Sequence, residues 1–391
     1  MTPTKTLAPL LLAAAPALAD VPCGGSFADF KQAMAAEAVA AGHDPATVDR
    51  FFASAKQSQG ALKADQRQGI FQLPFTDFAR KVISKNRIEK GQTNLTRHRD
   101  LFDRVQATYG ISPGVLLAFW ALETDYGAIQ GDFNTLDALV TMSHDCRRPE
   151  LFQPQVMAAL TLYEQGDFDP ATTTGAWAGE IGMVQMLPKD ILENGVDGDG
   201  DGHVLLKTSV ADALMSGGKM LQALGWRPNE PWLQEVVVPD TLDWTQTGLE
   251  HEKSIAEWDA LGVTARGGSF TAPDLPAALL LPQGRNGPAF LAYPNFHVYF
   301  EWNQSFVYVL TAAYFATRLE GAPVFAPGDP APALDGPQIE ALQTKLKARG
   351  HDVGGVDGIL GARTRAAVQI EQQRLGLPAD AWPTAELLAA L

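Results

Sequence analysis

The chain is short of cysteine, of cationic side chains and of long apolar runs. Two cysteines in 391 residues leave room for at most one disulfide. Lys and Arg number 30 against 45 Asp and Glu, a formal charge of −15. That balance excludes a general nucleic-acid binder, which needs a basic face to neutralise phosphates. It also supplies no long-range attraction to anionic lipid or to an anionic polymer, so any such binding must come from local contacts. Beyond the N-terminus no apolar run approaches the ~20 residues that span a bilayer, so no integral membrane segment is expected in the mature chain. No solenoid-type repeat occurs. At 46% hydrophobic and 19% charged, the composition is globular and has ample material for a core. It excludes a disordered, collagenous or low-complexity protein, and the length suggests two or three domains.

The N-terminus reads as an address. Lys5 precedes the apolar stretch 7–19 (LAPLLLAAAPALA), and Ala17-Leu18-Ala19 is a small-x-small cleavage site. This is the pattern of a secretory signal peptide over residues 1–19, with the mature chain starting near Asp20; a buried N-terminal helix is the alternative. Cys23 follows Pro22, whereas a lipid anchor wants a small residue there, which favours a soluble exported protein. In an oxidising compartment the two cysteines suggest one disulfide, Cys23–Cys146, with two free thiols as the alternative.

Residues 26–110 read as amphipathic helices at 27–41, 47–57, 76–90 and 95–108, separated by Gly, Asp-Pro and Leu-Pro breaks. Helical character continues over 112–225 with a Gly/Asp-rich interruption at 195–202. Residues 226–295 change character: Pro and Gly rise and short apolar runs such as Val236–Val238 and Leu279–Leu281 appear, the signature of a small β-containing insertion. A helix is expected again at about 303–319. Residues 321–334 hold Pro323, Pro327, Pro330 and Pro332, with Pro337 just beyond, and read as a stiff interdomain linker. Residues 335–391 form a unit too small to hold the main activity.

The clearest chemical signal is a carboxylate on an apolar face. Ser112 and Pro113 open a helix as N-cap and N1, and Gly127 can end it. Leu116, Phe119, Trp120 and Glu123 share one face by their i, i+3, i+4, i+7 spacing. Desolvation beside two aromatics disfavours the charged form of Glu123, and a carboxyl protonated near neutral pH can serve as a general acid. A solvated or Arg-paired Glu at a fraying helix end is the competing reading.

A second signal lies downstream, in Gly179-Glu180-Ile181-Gly182-Met183-Val184-Gln185-Met186-Leu187-Pro188. Glu-Thr-Asp-Tyr-Gly at 123–127 followed by Gly-x-x-Gly-x-x-Gln-x-x-Pro resembles the lysozyme-like lytic transglycosylases. The fuller match is to the lytic transglycosylase B family, over roughly residues 26–320. It is carried by 136–139, Arg147-Arg148, Trp177-Ala178-Gly179, Asp197 to His203, 293–296 and Trp302-Asn303-Gln304-Ser305. The resemblance implies a lysozyme-like, mainly α, α+β catalytic domain over 20–320. It further implies non-hydrolytic cleavage of the β-1,4 bond between N-acetylmuramic acid and N-acetylglucosamine in peptidoglycan strands, in the periplasm. Glu123 would be the sole acid/base, where ordinary glycosidases use two carboxylates. Gln185, Asn303, Tyr308, Trp302, Tyr126, Arg147 and Arg148 would be the substrate contacts. For Trp302 and Tyr308 core packing is the alternative, and for Arg147 and Arg148 structural or solvated pairing. A hydrolytic muramidase and a weakly catalytic wall-binding scaffold are the rival readings.

Two positions depart from the family pattern. Ala176 stands where a Ser often contacts the acid, and Glu180 stands where a small residue is common. If Glu180 lies near Glu123, repulsion raises the acid's pKa further.

The segment Asp197-Gly198-Asp199-Gly200-Asp201-Gly202-His203 places carboxylates at positions 1, 3 and 5 of an EF-hand loop, Gly at 6 and the His203 carbonyl at 7. Position 12 is Thr208 rather than Glu, and the related enzymes imply a longer loop, 197–212, closed by Asp212. A structural calcium ion is the expectation, with sodium or an empty site as alternatives; no cofactor is expected in catalysis.

Residues 335–391 resemble the peptidoglycan-binding-1 domain, a three-helix unit. The resemblance rests on Ile339, Leu342, Gln343, Leu346, Gly350, Val356-Asp357-Gly358, Gly361, Thr364, Ala367-Val368 and Leu375-Gly376-Leu377. It implies tethering of the enzyme to the wall, with a structural appendage as the alternative.

Overall fold

The computed structural model describes residues 21–65 and 73–391. The expected export signal, residues 1–19, lies outside them. The chain opens with α1 (Phe27–Ala40), α2 (Pro45–Ala53), α3 (Gln59–Asp65), α4 (Phe75–Val82), α5 (Lys85–Arg97), α6 (Arg99–Tyr109) and α7 (Pro113–Thr124). A two-residue ladder, β1 (Phe133–Asn134) with β2 (Thr174–Gly175), brackets α8 (Thr135–His144) and α9 (Pro149–Gln165); α10 (Pro188–Asn194) and α11 (Val210–Ala223) follow. Capping residues write these boundaries. Ser26, Asp44, Ser84, Asn134 and Ser209 stand in extended backbone, and each side chain accepts the N–H three residues on.

Ser84 corrects the sequence reading. The stretch expected as one helix over 76–90 is broken at Ile83, because Ser84 caps a new helix through the Arg87 N–H at 3.1 Å. The stretch 47–57 likewise ends at Ala53.

The β insertion is a five-stranded antiparallel sheet in the order β4-β6-β7-β3-β5. Its strands are β3 (Leu233–Val237), β4 (Glu252–Ser254), β5 (Thr264–Ala265), β6 (Pro276–Leu280) and β7 (Ala289–Ala292), with α12 (Ile255–Ala260) between β4 and β5. Strands β6 and β7 are buried along almost their whole length. One sheet face packs Leu280, Phe290 and Ala292 into the main core, and the other packs Leu279, Leu291 and Trp258 into its own. The chain then returns in α13 (Pro294–Trp302), a helix the sequence reading missed. Pro294 at its first position follows extended Tyr293, so the segment looked like a continuation of the insertion. Next comes α14 (Phe306–Leu319), capped by Ser305.

The pairing of α7 with α14 forms the centre of the molecule. The amphipathic stripe expected on α7 is absent, because Val115 through Ala121 are buried on every side. Gly114 makes this close approach possible: a Cβ there would lie 2.7 Å from the Ala316 carbonyl oxygen and from Glu320 Cγ. Glu320, just past α14, accepts the Gly114 N–H at 3.1 Å and the Ser112 hydroxyl. Ser112 therefore occupies the N-cap position but does not cap with its own side chain; a carboxylate from the partner helix does so. The expected disulfide forms between Cys23 and Cys146, 123 residues apart, and ties the N-terminal arm to the end of α8.

Residues 335–391 fold as α15 (Gly336–Ala348), α16 (Ala362–Arg374) and α17 (Ala385–Ala390) around Leu342, Leu346, Val368 and Leu387. Thr364 lies inside α16 and, instead of starting it, donates to the Val353 carbonyl at 3.2 Å. This unit is docked on the β insertion. Arg365 donates to the Pro282 carbonyl at 2.7 Å, with its guanidinium 4.6 Å from the Phe306 ring centre and 5.6 Å from that of Trp382. Burial pulls its pKa down to about 9, so it stays charged at neutral pH. Gln369 donates to the carbonyls of Trp244 and Thr247, and Arg285 pairs with Asp380 at 3.1 Å. The proline-rich linker is itself anchored, since Phe325 and Leu334 are buried.

Arg365→Met should loosen this docking. Losing a charged hydrogen bond worth about 1.5–3 kcal/mol opens the interface ~10-fold or more. Limited proteolysis should then cut the 322–334 segment faster than in the wild type, and unchanged cleavage would show that Arg365 does not hold the units together.

Candidate active site

The site forms where the C-terminal end of α7 meets the start of α14. Beyond Thr124 the chain reverses through three consecutive left-handed residues, Asp125 (φ 50°), Tyr126 (φ 63°) and Gly127 (φ 84°), so the helix ends earlier than Gly127 alone suggested. Polar contacts hold this turn. Asp125 accepts from Lys90 Nζ at 2.7 Å and Arg87 Nε at 3.0 Å, and these cations keep its carboxylate below the usual range. Asp125 is thus charged and paired, which disqualifies it as a proton donor near neutral pH. The Tyr126 hydroxyl donates to the Arg87 carbonyl at 2.8 Å, so this expected substrate contact braces the same turn.

Glu123 is held from two sides of α14's start. Its Oε1 accepts from the Tyr308 hydroxyl and, at 3.2 Å, from Trp302 Nε1. Trp302 is fixed by stacking on Phe119 at 4.4 Å, and Phe119 stacks on Tyr299 at 5.1 Å. Burial pushes the Glu123 carboxyl up to about 7; the two donors pull it down, and the charge of Glu180 adds a push upward. Burial and the neighbouring acid raise Tyr308 well above a normal phenol, so it remains a donor. The sequence marked Trp302 and Tyr308 as possible sugar contacts or core residues. Their chief role here, donating to the acid, had no sequence signal, because it depends on two segments some 180 residues apart meeting in space.

The Gly-x-x-Gly loop packs against this helix end. The Thr124 hydroxyl donates to the Met183 carbonyl at 2.7 Å and accepts the Gly127 N–H. Gly179 and Gly182 both have positive φ, and a Cβ would meet Leu139 at 2.3 Å or Leu206 at 2.5 Å, which explains the spacing. Gln185 is itself left-handed (φ 52°), and its amide donates to the Gly182 carbonyl at 2.7 Å. Asn303 follows α13 and accepts the Ser305 N–H at 2.9 Å. Arg147 pairs with Asp145 and Asp65, and Arg148 with Asp65 at 2.6 Å; their partners are protein carboxylates.

The acidic loop runs between α10 and α11, and Asp212 lies in the first turn of α11. Carboxylate oxygens of Asp197, Asp199 and Asp212 converge within 4.8 Å. Asp212 is fully buried and accepts the N–H groups of Gly198 and Leu205. Asp201 instead accepts the His203 N–H at 2.9 Å, and the His203 ring meets Asp167 at 2.8 Å.

Comparisons with known proteins agree with this layout. A model of the transglycosylase SLT domain matches residues 26–317, and a peptidoglycan-binding domain model matches 335–391. The chain is 27% identical over 236 residues to membrane-bound lytic murein transglycosylase B of Escherichia coli K12. That match covers 60% of this chain and 64% of the relative, so the chain spans just under two thirds of its length. SltB3 of Pseudomonas aeruginosa, crystallised with NAG-anhNAM-pentapeptide, superposes with a TM-score of 0.86 at 35% identity, over 94% of this chain and 99% of that one. The Escherichia coli transglycosylase Slt35, crystallised with calcium, shares the fold at a TM-score of 0.65 and 24% identity, over 77% of this chain and 96% of that one.

Tyr308→Phe removes a donor that favours the charged form of Glu123. The Glu123 titration, followed by carboxyl ¹³C NMR, should therefore move to higher pH by ~0.5–1 unit, one hydrogen bond's worth. Trp302→Phe should move it the same way by less. A downward move would contradict the donor assignment.

Proposed function

The chain belongs to the transglycosylase SLT domain family, and from that premise we propose that it is a peptidoglycan lytic transglycosylase with Glu123 as its one acid/base. The observation that carries the reading is the convergence of Tyr308 and Trp302 on a single oxygen of a carboxyl raised to about 7. With Oε1 taking both donors, Oε2 is placed to carry the transferable proton. In the first half-reaction Glu123 gives that proton to the glycosidic oxygen as the bond to the muramoyl C1 breaks. In the second the muramoyl C6 hydroxyl attacks C1 and returns its proton to Glu123, closing a 1,6-anhydro ring. The acid is regenerated and no water is consumed. While Glu123 is charged, Tyr308 and Trp302 stabilise it, which is why both half-reactions can share one residue. Support comes from SltB3, a relative crystallised with an anhNAM-containing ligand. The chain's own glycan contacts are assigned to Gln185 and Asn303, whose amides suit hydroxyl and N-acetyl groups.

The acidic loop is proposed to hold a structural calcium ion. Three carboxylates converging on one point suit a hard cation, with Asp197, Asp199 and Asp212 as the ligands and the His203 carbonyl as a further candidate. Such an ion would fix the lobe beside the cleft and take no part in proton transfer. The working compartment is proposed to be the periplasm. Among the described residues no single helix is long and apolar enough to cross a membrane.

Mass spectrometry of soluble products from purified peptidoglycan tests the chemistry. The expected muropeptides end in anhydromuramic acid and are lighter by one water than those of a hydrolase. Glu123→Gln should abolish their release while sparing wall binding. Reducing ends would establish a muramidase, and full activity of the variant would remove Glu123 from the mechanism. Calcium at ~100 times its Kd should stabilise the fold by ~2.7 kcal/mol, visible as a raised Tm that Asp197→Ala abolishes; an unmoved Tm would leave the loop without calcium.

A further inference from the structure

The joint between the C-terminal unit and the β insertion holds a cavity of about 300 Å³ that the chemistry above does not use. Helix α16 supplies one wall. Ala362, Ala366 and Ile370, at i, i+4 and i+8, line the cavity, while Ala367 and Val368 turn into the unit's own core. Ile370 is an apolar residue in the body of a helix, yet 54% of it is uncovered. The other wall belongs to the main body: Leu280 at the end of β6, Leu281 after it, Phe306 at the start of α14 and the loop 247–251. Neither unit forms the cavity alone. Arg365 lies at its edge and is only 7% exposed. A guanidinium carries five N–H donors, and this one makes a single hydrogen bond among the described residues, to the Pro282 carbonyl at 2.7 Å. Its Nε–H is buried and meets no acceptor among them. The lining carboxylates do not relieve it. Asp380 is held by Arg285 at 3.1 Å, and Glu250 is exposed on the loop. Arg363, the second lining arginine, pairs with Asp352 at the surface. A buried charged donor without an acceptor is costly to a fold, and this one borders a cavity with an aliphatic lining.

We propose that this cleft is a composite binding site for the peptide stem of peptidoglycan, with the stem's terminal carboxylate on Arg365 and its methyl groups against Ala362, Ala366 and Ile370. The inference rests on peptidoglycan being the substrate, and it adds which part of the polymer is held and where. The lining selects the stem over the glycan. A sugar chain needs an array of polar side chains and an open aromatic face. Here the stripe on α16 and the two leucines opposite it are aliphatic, and the Phe306 ring is covered by the Arg365 guanidinium at 4.6 Å. A short peptide with a free carboxylate and small apolar side chains matches both parts of the lining. A guanidinium suits a carboxylate, and an aliphatic stripe gains from covering methyl groups. The volume lies at the low end of the ~300–1,000 Å³ of small-ligand sites, which suits a few residues of peptide. Because the walls come from two units, a bound stem bridges them, and the docking of the C-terminal unit keeps the site assembled. No step of proton transfer passes through the cleft.

The test is isothermal titration of the full chain carrying Glu123→Gln, so that ligands bind without being cleaved. Two probes are used, the free stem pentapeptide and a peptide-free NAG-NAM oligosaccharide. The pentapeptide should bind. Adding Ile370→Glu sets a carboxylate against that of the ligand and should weaken binding ~10-fold or more, the worth of one charge-assisted contact. Ala366→Phe, which fills the cavity, and amidation of the peptide's terminal carboxylate should each cost as much. Oligosaccharide binding should be the same in all variants. Limited proteolysis of the 322–334 segment should match the parent, which separates loss of ligand from loss of docking. Should docking loosen, Ile370→Lys decides: it disturbs the same spot with the opposite charge and should hold the peptide better than Ile370→Glu. The reverse order overturns the proposal. Pentapeptide affinity untouched by both Ile370→Glu and Ala366→Phe overturns it, as does an equal loss of oligosaccharide binding. If the wild type neither binds nor cleaves purified peptidoglycan, the functional reading itself has failed. That result is distinct from a wild type that releases muropeptides while Ile370→Glu binds the stem normally, which removes only the cleft.

Discussion

The antiparallel contact of α7 with α14 is the constraint on which the site depends. Glu123 lies at the last turn of one helix and Tyr308 at the first turn of the other, so their meeting is a question of register between two rods. Glycine at 114 lets the backbones close to a distance that any Cβ would forbid. At that same end Glu320 caps α7 through the Gly114 N–H and the Ser112 hydroxyl. A carboxylate at a helix N-terminus is favourable on its own account. Here it also fixes the sliding coordinate of the pair, because the cap and the acid sit at opposite ends of one rigid helix. The aromatic stack of Trp302, Phe119 and Tyr299 then sets the rotation, so the donors arrive at one oxygen of the acid.

Burial and hydrogen bonding act against each other at Glu123, and the outcome is a group poised near neutrality. Burial alone would leave a carboxylic acid reluctant to give up its proton, and donors alone would leave a carboxylate with none to give. Both donors fall on Oε1, so that oxygen is the one stabilised when charge appears, and the proposed mechanism uses the other for transfer. Asp125, two residues on, shows that exposure to cations rather than chain position decides a carboxylate's fate in this turn. Arg87 and Lys90 hold it charged and committed to the backbone reversal that ends the helix.

Much of this was legible in the chain, for identifiable reasons. Helix starts were readable because Ser, Asp and Asn caps act locally, yet Ser84 divided a stretch whose periodicity ran on across it. Glu123 stood out because an acidic residue interrupted an apolar face. The expected stripe was really a helix buried all round, since periodicity cannot distinguish one covered face from several. The Gly-x-x-Gly spacing was visible, but its cause, Leu139 and Leu206 filling the space where a Cβ would go, belongs to the tertiary structure. Helix α13 was missed because proline after an extended residue reads equally as strand end or helix start. For Arg147 and Arg148 the sequence left substrate contact and structural pairing both open, because Asp65, their shared partner, lies more than 80 residues away.

The C-terminal unit invites the same distinction between what a linker suggests and what an interface does. Proline-rich residues 321–334 imply a spacer, and a spacer would act only by raising the local concentration of the cleft at the wall. The chain instead spends buried surface on fixing the unit in place: Phe325 and Leu334 anchor the linker, and Arg365 reaches the Pro282 carbonyl between two aromatic rings. Phe306, one of those rings, is the first residue of α14, two positions before Tyr308. The docking contact and the acid's principal donor therefore share a single helical turn. A unit held there keeps a set orientation relative to Glu123, which a free tether does not.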